Sequence, residues 1–184
     1  MNIFLTSAGF DNKEILRLFV KVARIEEKSS KILFVPTAAI NAGGREMLPF
    51  CRQEILEAGI LETNITEAQI SEINTINDLN YYCAIYVAGG DTKYLVDEMN
   101  KHDFRNILDG YLSNGGVYLG VSAGSIALTN TFPGCLNYIN CKLDVHREHG
   151  TQSGKINRKT FSEIALTDNQ AIILQDLETE IVGI

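Results

Sequence analysis

The sequence predicts an α/β fold, a three-layer sandwich in which a mostly parallel central sheet lies between helices. Three observations lead there. Short unbroken apolar runs recur at 3–5, 32–35, 83–88 and 117–121, the pattern of strands buried on both faces. Between them lie segments whose apolar residues return at helical spacing. The two alternate over roughly the first 130 residues, as parallel pairing through crossover helices requires.

Each element has its own local reason. Ile3-Phe4-Leu5 is the first strand, ended by the turn Thr6-Ser7-Ala8-Gly9. Asp11 stands in N-cap position with Glu14 three residues on, and Ile15, Leu16, Phe19 and Val22 make 12–26 an amphipathic helix. Ile32-Leu33-Phe34-Val35 is a strand closed by Pro36, and Asn41-Ala42-Gly43-Gly44 reads as a flexible connection. Met47, Leu48, Cys51, Ile55 and Leu56 mark a helix over 45–58 that stops at Gly59. A short strand at 60–65 and a helical stretch at 67–73 follow. The strand 83–88 breaks at Gly89-Gly90-Asp91-Thr92, and Tyr94, Leu95, Val96 and Met99 continue as a helix. Another helix covers 102–113, and strands are expected at 138–143 and 172–174. No repeat, low-complexity tract or linker interrupts the chain, so 1–184 reads as one domain.

Composition bounds the function. The chain has 184 residues, 45% of them hydrophobic, enough for a substantial core. Its 16 basic and 23 acidic residues leave a formal net charge of −7, which argues against a nucleic-acid partner. No apolar run reaches the ~18 residues that span a bilayer, and the amino terminus has no export leader, so a cytoplasmic protein is expected. Cys51, Cys83, Cys135 and Cys141 form no C-x-x-C pair and are read as free thiols. With His102, His146 and His149 they make no metal spacing, so neither metal nor cofactor is expected.

The chemistry centres on Val117-Tyr118-Leu119-Gly120-Val121-Ser122-Ala123-Gly124-Ser125. An apolar strand runs into Gly-x-Ser-x-Gly, and Ile126-Ala127-Leu128 continues as a helix. This is the order of a nucleophile elbow, with the helix start aimed at a developing oxyanion. The plainer alternative is a tight turn with Ser122 as a helix cap. In parallel sheets, sites gather at the carboxyl ends of strands. The loops 6–9 and 89–92 leave from those ends too, and Gly89-Gly90 would bring an amide close to a substrate oxygen, with the Ala123 amide beside it. A serine needs a base. His102 lies in a polar helix start; His146 falls at a strand end and is the choice, with His149 in reserve. Spacing leaves its carboxylate partner open among Asp144, Glu148 and Asp168.

The loop Val87-Ala88-Gly89-Gly90-Asp91-Thr92, the motif Gly120-Val121-Ser122-Ala123-Gly124-Ser125 and Asp144-Val145-His146 together resemble the peptidase E (aspartyl dipeptidase) family. These are serine peptidases of the class I glutamine amidotransferase-like (flavodoxin-like) fold, related to cyanophycinases. The resemblance runs along most of the chain. It implies Ser122 as nucleophile, His146 as base, and the Gly90 and Ala123 amides as oxyanion hole. Gly89, Asp91 and Thr92 would line the substrate loop. His146-Arg147-Glu148 matches the His-x-Glu of the wider superfamily and implies Glu148 as the third member. An acidic first residue of the substrate would meet a basic side chain beyond the histidine; Arg147, Lys155 and Arg158 are all available, and Arg158 is the choice. The expected partner is a small peptide, with neither nucleic acid nor membrane; a homodimer is left open. A second reading, from another class, is a catalytically silent domain that binds a metabolite or protein partner. It is motivated by the segment from Ser125 to Lys142, which contains no Asp or Glu. Glutamine amide transfer is disfavoured because the elbow carries serine rather than cysteine.

Overall fold

The computed structural model describes residues 1–26 and 29–183; Ile184, where the resemblance ends, lies outside them. Strands β1 (Asn2–Thr6), β2 (Ile32–Val35), β3 (Ile65–Glu67), β4 (Ala84–Val87) and β5 (Val117–Val121) pair in parallel in the order β3-β2-β4-β5-β1. Further along the chain come β6 (Cys141–Asp144), β7 (Gly154–Lys155), β8 (Ser162–Ala165), β9 (Ala171–Gln175) and β10 (Glu178–Val182). β9 pairs antiparallel with β1, and β10 and β7 extend the sheet beyond it, so eight strands form one sheet. β6 and β8 form a separate parallel pair.

Alternation along each strand sends side chains to two cores. Phe4, Phe34, Tyr86 and Leu119 face Ile15 and Phe19 of α1 (Lys13–Val22) and Cys51 and Ile55 of α2 (Ala42–Glu57). Leu5, Leu33, Ile85 and Tyr118 face α3 (Thr92–Lys101), α4 (Phe104–Ser113) and the short α5 (Ala123–Ile126). Each central strand is therefore apolar throughout because both its faces are covered. The β6–β8 pair packs Cys141, Leu143 and Ile164 onto this second face.

Several local expectations change. The cap of α1 is Asn12 rather than Asp11; its side chain accepts the Glu14 N–H at 2.9 Å. The stretch 41–44 is not a flexible connection: Asn41 accepts the Gly44 N–H at 2.8 Å and starts α2 at Ala42. That hydrogen bond satisfies an amide with no helical partner, and the helix starts there despite the poor helix propensity of Gly43-Gly44. Between 60 and 80 the strand lies later, at β3, and the helical stretch is a 3-10 turn over Ile70–Thr75. β7, β8 and β10 were not anticipated. All four cysteines are free, as read; Cys51 and Cys141 are buried.

Candidate active site

Ser122 sits at the end of β5 with φ 49° and ψ −105°, a left-handed region that a side-chain-bearing residue enters at a cost of about 1–3 kcal/mol. The strain has a geometric cause. A Cβ placed on Gly120 would come within 2.6 Å of the Gly124 carbonyl carbon, so strand and following turn cross where only glycine fits. Neighbouring groups pin the crossing. The Ser122 N–H donates to the Thr6 carbonyl at 3.0 Å, and the buried Ser125 hydroxyl lies 2.7 Å from both the Thr6 and Gly120 carbonyls. Ser122 makes no side-chain cap bond to α5. Its Oγ lies 3.0 Å from His146 Nε2 instead.

His146 comes from the separate strand pair. β6 and β8 run parallel with Asp144 opposite Ala165, and the pairing continues past both ends. Leu166 N–H donates to the Asp144 carbonyl at 2.8 Å, and Arg147 N–H to the Leu166 carbonyl at 3.0 Å. This register sets the segment after Asp144 beside the segment after Ala165, and Asp168 Oδ1 lies 2.8 Å from His146 Nδ1. The resulting line is Ser122 Oγ, imidazole, carboxylate. His146 takes φ 57° to turn its ring towards the elbow.

Glu148 is corrected by this geometry. It is exposed and makes no hydrogen bond to the imidazole among the described residues; the carboxylate that does is Asp168. His-x-Glu spacing puts both residues on one short stretch, but the chain turns at His146, so the partner comes from the neighbouring strand. Among the described residues His149 and Asp144 make no hydrogen bond to the ring, whose nearest hydrogen-bond partners are Ser122 and Asp168; Asp144 pairs with Arg147 at 3.4 Å. His102 ends α3, with its Nε2 3.5 Å from Glu98.

Beside the serine, Gly90 has φ 142° and an added Cβ would collide with the Ala38 carbonyl. Among the described residues neither the Gly90 nor the Ala123 amide donates to a backbone carbonyl. Two free amides flanking Ser122 are what an oxyanion requires. Because α5 is a single turn, it offers individual N–H groups rather than a long helix dipole. Asp91 and Thr92 do not line the cleft. The Asp91 carboxylate caps α3 by accepting the Tyr94 N–H at 2.8 Å. Arg158 does not line the cleft either; its guanidinium donates to the Tyr138 carbonyl at 3.2 Å.

The cleft has a volume of about 580 Å³. It is lined by Ser122, His146, Asp168, Gly89 and Gly90, by Ser7, Ala8 and Asp11 of the loop after β1, and by Asn41 with Met47, Phe50, Cys51 and Glu54 of α2. Met47 and Phe50 are exposed. Glu54 accepts the Phe10 N–H at 2.6 Å and the Tyr86 hydroxyl at 2.7 Å. Burial raises its pKa above the ordinary carboxylate value, against the lowering by those two donors. Burial also raises the Cys51 thiol, so the cysteine in the cleft is a poor nucleophile beside Ser122. No group of residues that could hold a metal ion is present among the described residues. No helix among them is long and apolar enough to cross a membrane.

The chain is similar to several known peptidases. An uncharacterized peptidase of Pasteurella multocida is 30% identical over 127 residues, covering 67% of this chain and 58% of its own. A peptidase E of Shewanella denitrificans is 24% identical over 158 residues, 78% of this chain and 66% of its own. The matched stretches therefore span about three fifths to two thirds of these relatives. Among solved structures, a candidate peptidase E protein from Listeria monocytogenes superposes with a TM-score of 0.76 at 19% identity, covering 100% of this chain and 98% of that one. A peptidase from an acI-B1 actinobacterium superposes with a TM-score of 0.58 at 15% identity, covering 100% and 87%. Peptidase family S51 matches residues 3–135, which include the glycine loop and the elbow but stop short of His146 and Asp168. The chain belongs to peptidase family S51.

Proposed function

We propose that the protein is a serine peptidase that hydrolyses small peptides in the cleft between Ser122 and α2. The observation that carries this reading is the continuous line from Ser122 Oγ through the His146 ring to Asp168, at 3.0 and 2.8 Å. Ser122 would give its proton to Nε2 as it attacks the peptide carbonyl, while Nδ1–H stays on Asp168. The Gly90 and Ala123 amides would hold the tetrahedral oxyanion, and the imidazolium would return the proton to the leaving amine. Water would then hydrolyse the acyl-serine by the same relay.

The alternative of a catalytically silent domain drew on the missing carboxylate between 125 and 142. Asp168 supplies one from a later strand end, which favours the catalytic reading. The finer expectation, a preference for an acidic first residue, rested on Arg158. The side chains that line the cleft point elsewhere. Asp11 and Glu54 contribute carboxylates, and Met47 and Phe50 contribute apolar surface. This lining suits a peptide with a free, cationic amino terminus and a neutral or basic first side chain.

One experiment tests both levels. A panel of dipeptides that differ in first residue, with and without N-acetylation, is offered to wild type and Ser122→Ala. Turnover is expected with free Leu-X and Lys-X substrates, less with Asp-X, and none with Ser122→Ala. Covalent labelling by a fluorophosphonate should show the same dependence on Ser122. Equal labelling of both proteins overturns the nucleophile; a clear Asp-X preference overturns only the specificity.

A further inference from the structure

The turn after β1 lies directly behind the proposed triad, and one residue of it touches two triad members. Ser7 is fully buried. Its Oγ accepts the backbone N–H of His146 at 2.7 Å and donates to Asp168 Oδ1 at 2.8 Å. His146 Nδ1 lies 3.5 Å from the same oxygen.

We propose that Ser7 is a positioning residue for the hydrolytic site: its hydroxyl ties the base and the carboxylate to β1 and fixes the direction of the proton relay. The proposal rests on the serine-peptidase reading above.

A hydroxyl has a single proton to give. The His146 amide can only donate, so Ser7 Oγ is its acceptor, and the Ser7 proton is left for Asp168. Asp168 Oδ1 accepts from Ser7, and as a carboxylate it can also accept from Nδ1–H. With the Nδ1 proton held there, Nε2 keeps a lone pair facing Ser122 Oγ. The network thus selects the one neutral tautomer that can take a proton from the serine.

The need for such a tie follows from the fold. His146 and Asp168 extend beyond the β6–β8 pair, which is not part of the main sheet, and their side chains are 51% and 49% exposed. Ser122 belongs to the main sheet. Two adjacent residues at the end of β1 join the halves. The Thr6 carbonyl receives the Ser122 N–H, and the Ser7 hydroxyl bonds His146 and Asp168. β1 lies between β5 and β9 and is apolar on both faces, so it is a rigid reference for both. The Ser7 bond also satisfies the amide of His146, a residue held at φ 57°.

The test uses the rate of fluorophosphonate labelling at Ser122, which needs no identified substrate, measured as a limiting rate and a half-saturation concentration. Ser7→Ala should lower the limiting rate by a factor on the order of 10–100, the scale of a small misplacement of reacting groups. The half-saturation concentration should stay within about twofold, since Ser7, although it borders the cleft, is fully buried and its hydroxyl is engaged by His146 and Asp168. The His146 Nδ1 proton, expected at low field by NMR in the wild type, should shift from that position in Ser7→Ala. In an Asp168→Asn background the Ser7→Ala change should cost little more, because both changes act through the same ring. If Ser7→Ala does not fold, Ser7→Cys fills the same space with a weak donor and is read in the same way. A folded Ser7 variant that labels at the wild-type rate overturns the proposal. So does one that loses the same factor with and without Asp168. A wild-type protein that does not label at Ser122 overturns the serine-peptidase reading and this proposal with it.

Discussion

At the scale of single residues, the site depends on two side chains that accept unfavourable backbone. Ser122 and His146 both have positive φ, and each is held by hydrogen bonds to the end of β1. The Ser122 turn was legible because an elbow needs small residues at set offsets, and the Gly89-Gly90 loop because a glycine pair closes an apolar strand; both signals are visible in a sequence. His146 was legible as a histidine at a strand end. The carboxylate was not, because its distance to the ring depends on the pairing of β6 with β8. Asp168→Asn is expected to lower peptide turnover or Ser122 labelling by a factor on the order of 10³, by leaving the ring free to take the wrong tautomer. Glu148→Gln should leave both within about twofold. Reversed effects in these two variants would restore Glu148 as the partner.

At the scale of elements, caps decided what composition misjudged. Asn41 and Asn12 each place an amide-satisfying oxygen before a helix start, so α2 forms through a glycine pair and α1 begins one residue later than Asp11 implied. Asp91 does the same for α3, and that is why a residue next to the glycine loop serves the helix rather than a substrate. Asp91→Ala should therefore cost about 1 kcal/mol of stability, read as a lowered urea midpoint. An unchanged midpoint would mean that its carboxylate contributes elsewhere. The short late strands escaped prediction for a related reason. β7 has two residues, and β8 carries a single fully buried apolar side chain, so neither shows a period.

At the scale of the whole molecule, Glu54 links three parts that the chain holds far apart. It is in α2, accepts from Phe10 in the loop after β1, and accepts from Tyr86 in β4. Burial raises its pKa above the ordinary value of 4.5, so the folded protein holds that proton more tightly than the unfolded chain. Stability from this group is then greatest at acid pH and declines as pH rises from about 4.5 through the raised value. Glu54→Gln should flatten that decline in urea titrations between pH 4.5 and 7.5. Superimposable pH profiles of wild type and variant would show that the carboxylate titrates as if exposed.

The sequence by itself determined the layered α/β fold, the elbow, the glycine loop and the histidine. Each follows from a local rule: apolar runs for strands buried on both faces, glycines where backbones cross, and a histidine at a strand end. Only the tertiary structure decided the rest of the site. It chose Asp168 over Glu148, moved Asp91 and Arg158 out of the cleft, lined it with residues of α2, and put Ser7 behind the triad. Those outcomes depend on register between strands that are distant in the chain, and on which buried hydroxyl is left with a proton to give. Neither quantity is written in local spacing.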